Sequence, residues 1–209
     1  EAQKQKLSAF IRWDNCSGSA CLAVSEKAHG SDLIATETQA LSTEKGYIFS
    51  GEKWPINKGT LTKSVTVLAK TDDGRNTRSL SLFLVYKDEL KPGDYSHLPK
   101  IKTLGLRSSD ISGIRFDRCI LPEDSRIGEL GRGLDVTLKG FFVTRTLCSF
   151  LSLGAADTAL RTTLRLTRHR QLYGKTVFAL PHANRVMVNA FLDLLIGDCT
   201  SIFIARSLL

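Results

Sequence analysis

Apolar and polar residues alternate along much of the chain between residues 20 and 127. Residues 64–67 and 79–82 show this pattern most plainly, with a Ser or Thr before each apolar residue. Period-two alternation indicates strands that bury one face, and turn-forming clusters separate them. The predicted strands are residues 20–24, 34–41, 47–50, 65–70, 79–85 and 114–116, with 99–106 as a further candidate.

The spacing of apolar residues becomes helical after residue 133. Apolar residues recur every three or four positions in 134–151, in 154–170 and from Pro181 towards the end of the chain. This spacing predicts three helices, and Pro181 suits the first turn of the third one. Residues 1–11 carry the same spacing and predict a further helix. A turn-rich linker at 121–133 separates the strand-like region from the helical region that follows it.

The order of these helical and strand-like regions predicts an α+β multidomain chain. A helical remnant comes first, a central antiparallel β-barrel or sandwich follows, and antiparallel helices come last. The chain has no initiating Met, and it stops within an apolar helical pattern that shows no C-cap. We therefore expect it to be a fragment of a longer protein.

Charge favours an anionic partner. The net charge is +8 and the isoelectric point is near 9.4, which suits a dinucleotide, coenzyme A or nucleic acid. The 29 Lys and Arg residues are spread along the chain without a block, so a solubilising surface explains the charge equally well.

Composition and cysteine usage are typical of a soluble globular chain. The five cysteines are scattered without a CxxC pair, and the four histidines are isolated. This pattern predicts reduced thiols and no metal site. No uninterrupted apolar run reaches the roughly 18 residues of a membrane span, and no signal peptide opens the chain. We expect a cytoplasmic protein without a membrane span.

A cluster of small and polar residues joins the first two predicted strands at residues 24–32. Gly30 permits close backbone approach, and Ser25 and Ser31 add hydroxyl donors. Such a loop could hold a polar ring edge or a phosphate. The same composition is typical of an ordinary turn between strands.

The loop is the first of several short motifs that follow one another along nearly the whole chain. Together, in this order and at these spacings, they resemble the acyl-CoA dehydrogenase superfamily of FAD-dependent flavoproteins. The motifs are Ser25-Glu26 with Gly30-Ser31-Asp32, Gly51-x-Lys53-x-x-Ile56, Gly105-x-Arg107-x-Ser109-Asp110 with Gly113-Ile114-x-Phe116, Pro122 with Ile127-Gly128, Arg145, Leu153-Gly154-Ala155, and Arg170-x-x-Tyr173-Gly174.

The resemblance implies a division of the chain into three parts. Residues 1–15 would end an N-terminal helical domain, 16–128 would form the middle β domain, and 129–209 would begin a C-terminal helical domain. FAD would bind without a Rossmann fold, because the chain contains no GxGxxG.

The resemblance also implies where FAD lies. The loop at 22–31 would run along the cofactor, with Ser25 at the flavin ring edge and Gly30 and Ser31 near the pyrophosphate. A second contact strand would be Trp54-Pro55-Ile56-Asn57, where Pro55 and Asn57 replace the common Trp and Thr. The implied cofactor-binding residues are Leu22, Val24, Ser25, Gly30, Ser31, Pro55, Ile56, Asn57, Arg170 and Tyr173.

Arg170 and Tyr173 match a segment that reaches the FAD of a neighbouring subunit, which implies a homo-oligomer, either a dimer or a tetramer. A guanidinium suits a pyrophosphate because its planar fork donates two parallel hydrogen bonds. The alternative for Arg170 is a cap at the C-terminal end of a helix.

Ser31, Ser109 and Arg145 match positions near the acyl-CoA substrate. Phe142, close to Arg145, stands where many members carry an Asp. The alternative for Arg145 is a buried helix arginine paired with a carboxylate of the β domain.

No catalytic residue is assigned within this chain. The family needs a carboxylate to remove the α-proton of the acyl group while the β-hydrogen leaves as hydride to the flavin. One branch carries a Glu directly before the arginine that matches Arg145, and Thr144 occupies that position here.

The resemblance implies an FAD-dependent acyl-CoA dehydrogenase that introduces an α,β double bond into an acyl thioester and passes electrons to an acceptor. One alternative is an alkylation-response flavoprotein that binds DNA, favoured by Lys27, Trp54, Pro181 and the positive charge. No DNA-binding module appears in the sequence, so this ranks below the enzyme. The other alternative is an acyl-CoA oxidase, which Trp54-Pro55 resembles.

Overall fold

The computed structural model describes residues 20–208. Contacts divide the chain into two compact units, Glu1–Thr137 and Leu138–Leu209. The helix predicted at residues 1–11 and the domain predicted at 1–15 lie outside the described residues. The boundary predicted between 128 and 129 stays a prediction, nine residues before the division between the two units.

The first unit is built on one eight-stranded sheet whose spatial order is β6-β7-β3-β2-β4-β5-β8, with β1 beside β4. Its strands are β1 (Ala20–Ala23), β2 (Gln39–Thr43), β3 (Gly46–Asn57), β4 (Ser64–Lys70), β5 (Leu80–Tyr86), β6 (Tyr95–Leu98), β7 (Ile111–Leu121) and β8 (Arg126–Ile127).

The sheet is mixed. Strand β1 runs parallel to β4, from Ala20 opposite Ser64 to Ala23 opposite Val67, and β2 also meets β4 in parallel. The remaining pairs are antiparallel. The predicted antiparallel barrel is therefore not confirmed, since the sheet is mixed and does not close. Alternation along a strand reports which face is buried and not which strand lies beside it.

Four aromatic side chains fill the centre of this unit. The Phe83 ring meets Tyr47 and Phe49 edge-on, with centroids 4.9 and 5.5 Å apart, and Phe116 meets Phe49 at 5.1 Å. Such geometry is favoured by the ring quadrupoles. These rings pack with buried valines of β4 and β5, which explains the alternating pattern of those strands.

Most of the predicted strands are confirmed. Those predicted at 20–24, 65–70 and 79–85 match β1, β4 and β5, and those at 47–50 and 114–116 lie within the longer β3 and β7. The predicted strand at 99–106 is wrong, because the β6–β7 ladder ends at Leu98, although the Ile101 N–H still donates to the Ile111 carbonyl at 2.7 Å. Pro99 has no N–H to continue a ladder.

The strand predicted at 34–41 is correct only at its end. Leu33–Ala35 forms a single 3-10 turn, and β2 begins at Gln39. A backbone hydrogen bond from the Thr36 N–H to the Leu33 carbonyl, 3.2 Å long, closes this turn. Local turn formation therefore replaces strand pairing in the first half of this segment.

Two long helices follow. Helix α1 spans Gly133–His169 and helix α2 spans Pro181–Ser207, and a hairpin of β9 (Gln171–Leu172) and β10 (Lys175–Thr176) lies between them. Pro181 stands in the first turn of α2, as predicted.

The two helices predicted at 134–151 and 154–170 are in fact one. Gly154 lies inside α1. A glycine in a helix interior costs only about 1 kcal/mol relative to alanine, which is too little to end a helix that is favoured on both sides.

Both helices are long and apolar enough to cross a membrane by length and composition alone, with windows of mean hydropathy 1.2 in α1 and 1.6 in α2. Core helices of soluble proteins pass the same test. The expected absence of a membrane span therefore stays a prediction.

Candidate cofactor-binding site

The loop that follows β1, residues 24–32, is termed the Ser25 loop. A tight turn forms within it, in which the N–H of Glu26 donates to the carbonyl of His29 and the N–H of His29 donates back, both at 3.1 Å. Val24 is buried, Ser25 is half-buried, and Gly30 and Ser31 are exposed. The loop therefore has an anchored first half and an open second half.

A buried ion pair anchors the first half. The Lys53 ammonium of β3 is fully buried and donates to the Glu26 carboxylate and to the Val24 carbonyl, both at 2.9 Å. The Glu26 carboxylate also accepts from the N–H of Glu37 at 2.7 Å, and from the N–H and hydroxyl of Thr38 at 3.0 and 2.6 Å. Every charge in this cluster is therefore paired and hydrogen-bonded, which burial requires.

Burial and pairing act in opposite directions on the two charges. Burial lowers the pKa of Lys53 from its ordinary 10.5 to about 8, although the charge of Glu26 opposes this. Burial also tends to raise the pKa of Glu26, but the Lys53 charge and the donors of Thr38 and Glu37 outweigh it, so this pKa is lowered. At neutral pH both groups are charged.

The second contact strand lies directly beside the loop. The N–H of Trp54 donates to the Ser25 carbonyl at 2.9 Å. Pro55 and Asn57 are exposed, whereas Ile56 is buried in the core. The pairing of β3 with β7 is irregular between Lys53 and Ile56, which is a common way to re-aim side chains at a strand end.

A third candidate segment joins at the end of β3. The Ser109 hydroxyl donates to the Asn57 side-chain carbonyl at 3.0 Å. The structure therefore brings together three segments that sequence reasoning singled out separately: the Ser25 loop, the strand Trp54–Asn57 and the loop at Ser109. Leu22, at 39% exposure, lies on β1 just before the first of them.

The open half of the loop leaves room for a ligand. Gly30 does not adopt a positive φ, and no atom lies within 4 Å of where its Cβ would stand. Neither the backbone conformation at residue 30 nor a close neighbour among the described residues requires a glycine there. The space beside the Gly30 Cα is open. Within residues 20–208 the Ser25 hydroxyl makes no hydrogen bond. Both positions therefore suit an external polar group.

Arg170 and Tyr173 lie in the second unit, just after α1. Gln171 pairs with Thr176 and Leu172 with Lys175, so Tyr173 and Gly174 form a two-residue turn with φ of 53° and 74°. Such turns favour Asn-Gly, and a bulky residue with positive φ is uncommon. The turn leaves Tyr173 85% exposed.

Arg145 is exposed on α1, and its guanidinium lies 5.6 Å from the centre of the Phe141 ring. The alternative of an arginine paired with a carboxylate of the β domain stays a prediction, because Arg145 belongs to the second unit and the β strands to the first. Thr144 is exposed, and its hydroxyl donates to the Phe141 carbonyl. Phe142 is exposed as well.

Ligand atoms of Glu26, His29 and Glu37 lie within 4.8 Å of one another. Glu26 is already bonded to Lys53, Thr38 and the Glu37 N–H. The Lys53 ammonium already neutralises the Glu26 carboxylate, so the absence of a metal site stays a prediction.

Sequence reasoning missed Lys53 and Thr38 as parts of this site. Lysine is almost never fully buried, and hydropathy gives no signal for a buried cation. The sequence carries one signal for this pair. Glu26 and Lys53 have opposite charges, and each stands in one of the ordered motifs.

Comparison with known proteins identifies the β unit. Residues 21–119 match the family model of the acyl-CoA dehydrogenase middle domain. Over 158 residues the chain is 32% identical to a probable acyl-CoA dehydrogenase, fadE25, of Mycobacterium leprae, covering 76% of this chain and 40% of that protein. Over 156 residues it is 28% identical to mitochondrial isovaleryl-CoA dehydrogenase of Solanum tuberosum, covering 75% and 37%.

Solved structures share the fold. An acyl-CoA dehydrogenase of Geobacillus kaustophilus aligns with a TM-score of 0.80 at 22% identity, covering 90% of this chain and 50% of that one. PigA, solved with FAD and proline, aligns at 0.81 and 24%, covering 90% and 48%. The prolyl acyl carrier protein oxidase AnaB aligns at 0.83 and 20%, covering 97% and 56%.

The fold and the matched domain define an acyl-CoA dehydrogenase-like protein. Residues 21–119 belong to the acyl-CoA dehydrogenase middle-domain family, and the curated relatives compared above are acyl-CoA dehydrogenases. It spans about 40% of the length of the curated relatives compared above.

Proposed function

We propose that this chain is the flavin-holding part of an FAD-dependent acyl-CoA dehydrogenase. The enzyme would remove an α-proton from an acyl thioester while the β-hydrogen leaves as hydride to the flavin, giving an α,β double bond. The observation that carries the proposal is the meeting of the Ser25 loop, Trp54–Asn57 and Ser109 through the Trp54–Ser25 and Ser109–Asn57 hydrogen bonds.

The residues present fit an isoalloxazine edge. The Ser25 hydroxyl is a donor without a partner in the described chain, and the space beside Gly30 is open. The Trp54–Ser25 hydrogen bond places the exposed Pro55 and Asn57 next to the Ser25 loop. FAD would supply the hydride acceptor. A donor held at the ring edge would stabilise the negative charge that develops on the ring during reduction.

Ser31, Ser109 and Arg145 are proposed to contact the acyl thioester. Arg170 and Tyr173 are proposed to contact FAD of a neighbouring copy in a dimer or tetramer, and the exposed, positive-φ Tyr173 supports this, since strained residues cluster at binding sites. The catalytic base stays unassigned. A redox partner would accept the electrons, and a cytoplasmic location is proposed on the scattered cysteines, which include no CxxC pair.

A second candidate is an oxidase that returns the electrons to oxygen. The structural likeness to the carrier-protein oxidase AnaB and the Trp54-Pro55 pair favour it. Under this reading the acyl group could be carried by a protein-bound thioester instead of coenzyme A. The DNA-binding alternative rests only on net charge and on Lys27, Trp54 and Pro181.

The test is the visible spectrum of the full-length protein, recorded without oxygen before and after adding a panel of acyl-CoA and acyl-carrier thioesters. Flavin absorbance that bleaches with one thioester is the expected result, and re-admitted oxygen then separates oxidase from dehydrogenase. Flavin that stays oxidised with every thioester would overturn the proposed reaction.

A further inference from the structure

We infer that the buried Glu26–Lys53 pair is a positioning device that fixes the Ser25 loop for the cofactor. The inference rests on the proposed flavin site. It assigns to Lys53 a role beyond packing, although its side chain is fully buried and cannot itself touch a ligand.

Two successive carbonyl groups of the loop accept hydrogen bonds from β3. The Val24 carbonyl accepts from the Lys53 ammonium at 2.9 Å, and the next carbonyl, that of Ser25, accepts from the N–H of Trp54 at 2.9 Å. Both donors belong to consecutive residues of β3. Two successive peptide units are therefore tied to one strand, and their orientation is set by it.

The third tie is the carboxylate of Glu26. It joins Lys53 on β3 to the N–H and hydroxyl of Thr38, which stands just before β2. The loop is thereby held between two neighbouring strands of the sheet. Among the polar groups of Ser25, the carbonyl is bonded inward and the hydroxyl has no partner in the described chain, so the cluster presents that hydroxyl to an external group.

An ion pair suits the positioning of the loop because each buried charge needs specific hydrogen-bond partners. A neutral, apolar filling of the same volume would give equal or better stability, but it would offer no donor to the Val24 carbonyl. The inference therefore predicts that stability and loop position respond differently to substitution.

The experiment compares Lys53→Met, Glu26→Gln and the double variant with the unsubstituted protein. Glu52→Gln is the matched control, because Glu52 precedes Lys53 on β3 and forms an exposed ion pair with Arg115 at 2.7 Å. Two quantities are measured: FAD affinity by flavin fluorescence, and hydrogen exchange of the backbone amides of residues 24–32 without FAD.

In Lys53→Met, we expect exchange in the loop to accelerate at least tenfold while amides of β5 are unchanged, and the FAD dissociation constant to rise at least tenfold. The double variant should recover thermal stability relative to Lys53→Met but not FAD affinity. Because it removes both charges, it keeps the test available if Lys53→Met does not fold. Glu52→Gln should change neither quantity.

Unchanged exchange in the loop, or FAD affinity that recovers together with stability in the double variant, would overturn the positioning role and leave the proposed function intact. Failure of the unsubstituted full-length protein to bind FAD would overturn the proposed function and the cofactor half of the inference. Exchange would still decide whether the pair orders the loop.

Discussion

Replacing Glu26 by Gln should destabilise the protein in a pH-dependent way. The substitution keeps the shape of the side chain and removes the charge that opposes the lowering of the Lys53 pKa. Lys53 is then a buried cation without an ionic partner, and its pKa falls further below about 8. The size of the effect follows from how easily this lysine can lose its proton.

Each pKa unit corresponds to about 1.4 kcal/mol. The shift of Lys53 from 10.5 to about 8 means that burial, partly offset by the charge of Glu26, costs the charged lysine a net of roughly 3 kcal/mol in the unsubstituted protein. Complete deprotonation at pH 7 would cost about 5 kcal/mol relative to the unfolded chain. Lys53 in the variant can always lose its proton, so the cost of deprotonation sets an upper limit. The penalty that Glu26→Gln adds at pH 7 is the difference between the two costs, at most about 2 kcal/mol.

The sign of the pH dependence is fixed by linkage. The folded pKa of Lys53 lies below the unfolded value, so the unfolded chain binds more protons between about pH 8 and 10.5, and the free energy of unfolding rises with pH in that window. In Glu26→Gln the rise begins at lower pH. The difference between the two proteins should therefore shrink from at most about 2 kcal/mol at pH 7 to within about 1 kcal/mol of zero at pH 9.

Urea unfolding followed by circular dichroism at pH 7, 8 and 9 measures this difference. The control, Glu52→Gln, removes a carboxylate from an exposed pair and should change stability by about 0.5 kcal/mol or less, equally at each pH. A penalty for Glu26→Gln that stays constant or grows between pH 7 and 9 would contradict the burial of a charged Lys53 against Glu26.

Three further substitutions test other parts of the molecule. Ser25→Ala should raise the FAD dissociation constant about tenfold, the value of one net hydrogen bond of about 1.4 kcal/mol, without changing the urea midpoint, and a flavin fluorescence titration measures it. Tyr173→Asn should stabilise the protein by about 0.5–1 kcal/mol because Asn tolerates positive φ, yet weaken FAD binding; equal or tighter binding would exclude Tyr173 from the site. Gly51→Ala should cost about 3 kcal/mol or more in urea unfolding, since φ is 140° and the new Cβ would lie 2.6 Å from the Thr38 Cα.

The sequence predicted the strands that alternate strongly and missed features set by tertiary contacts. Residues 65–70 and 79–85 have one buried face, and their pattern alone locates β4 and β5. The parallel pairing of Ala20 with Ser64 leaves no trace in that pattern. Apolar spacing predicts separate helices at 134–151 and 154–170, whereas helix α1 runs through Gly154, because a single glycine is a small local cost.

The candidate site was predictable as a set of segments and not as a geometry. Ordered motifs in the sequence alone single out the Ser25 loop, Trp54–Asn57 and the loop at Ser109. Their joining through Asn57 and through Lys53 depends on the bulged end of β3 and on a buried charge pair. Neither has a periodic signature, because both arise from residues far apart in sequence that meet only in the folded sheet.

The central position of β3 has a consequence for how the protein is made. Its partner β7 pairs with it from Tyr47 opposite Leu121 to Asn57 opposite Ile111, so about 70 residues separate the most distant partners. At synthesis rates of roughly 5–20 residues per second, β3 waits roughly 4–15 s for that partner to leave the ribosome. During this interval one edge of an apolar strand has no ladder partner, a state prone to pairing with other chains. The nascent β unit therefore keeps this strand edge unpaired until residue 121 has emerged.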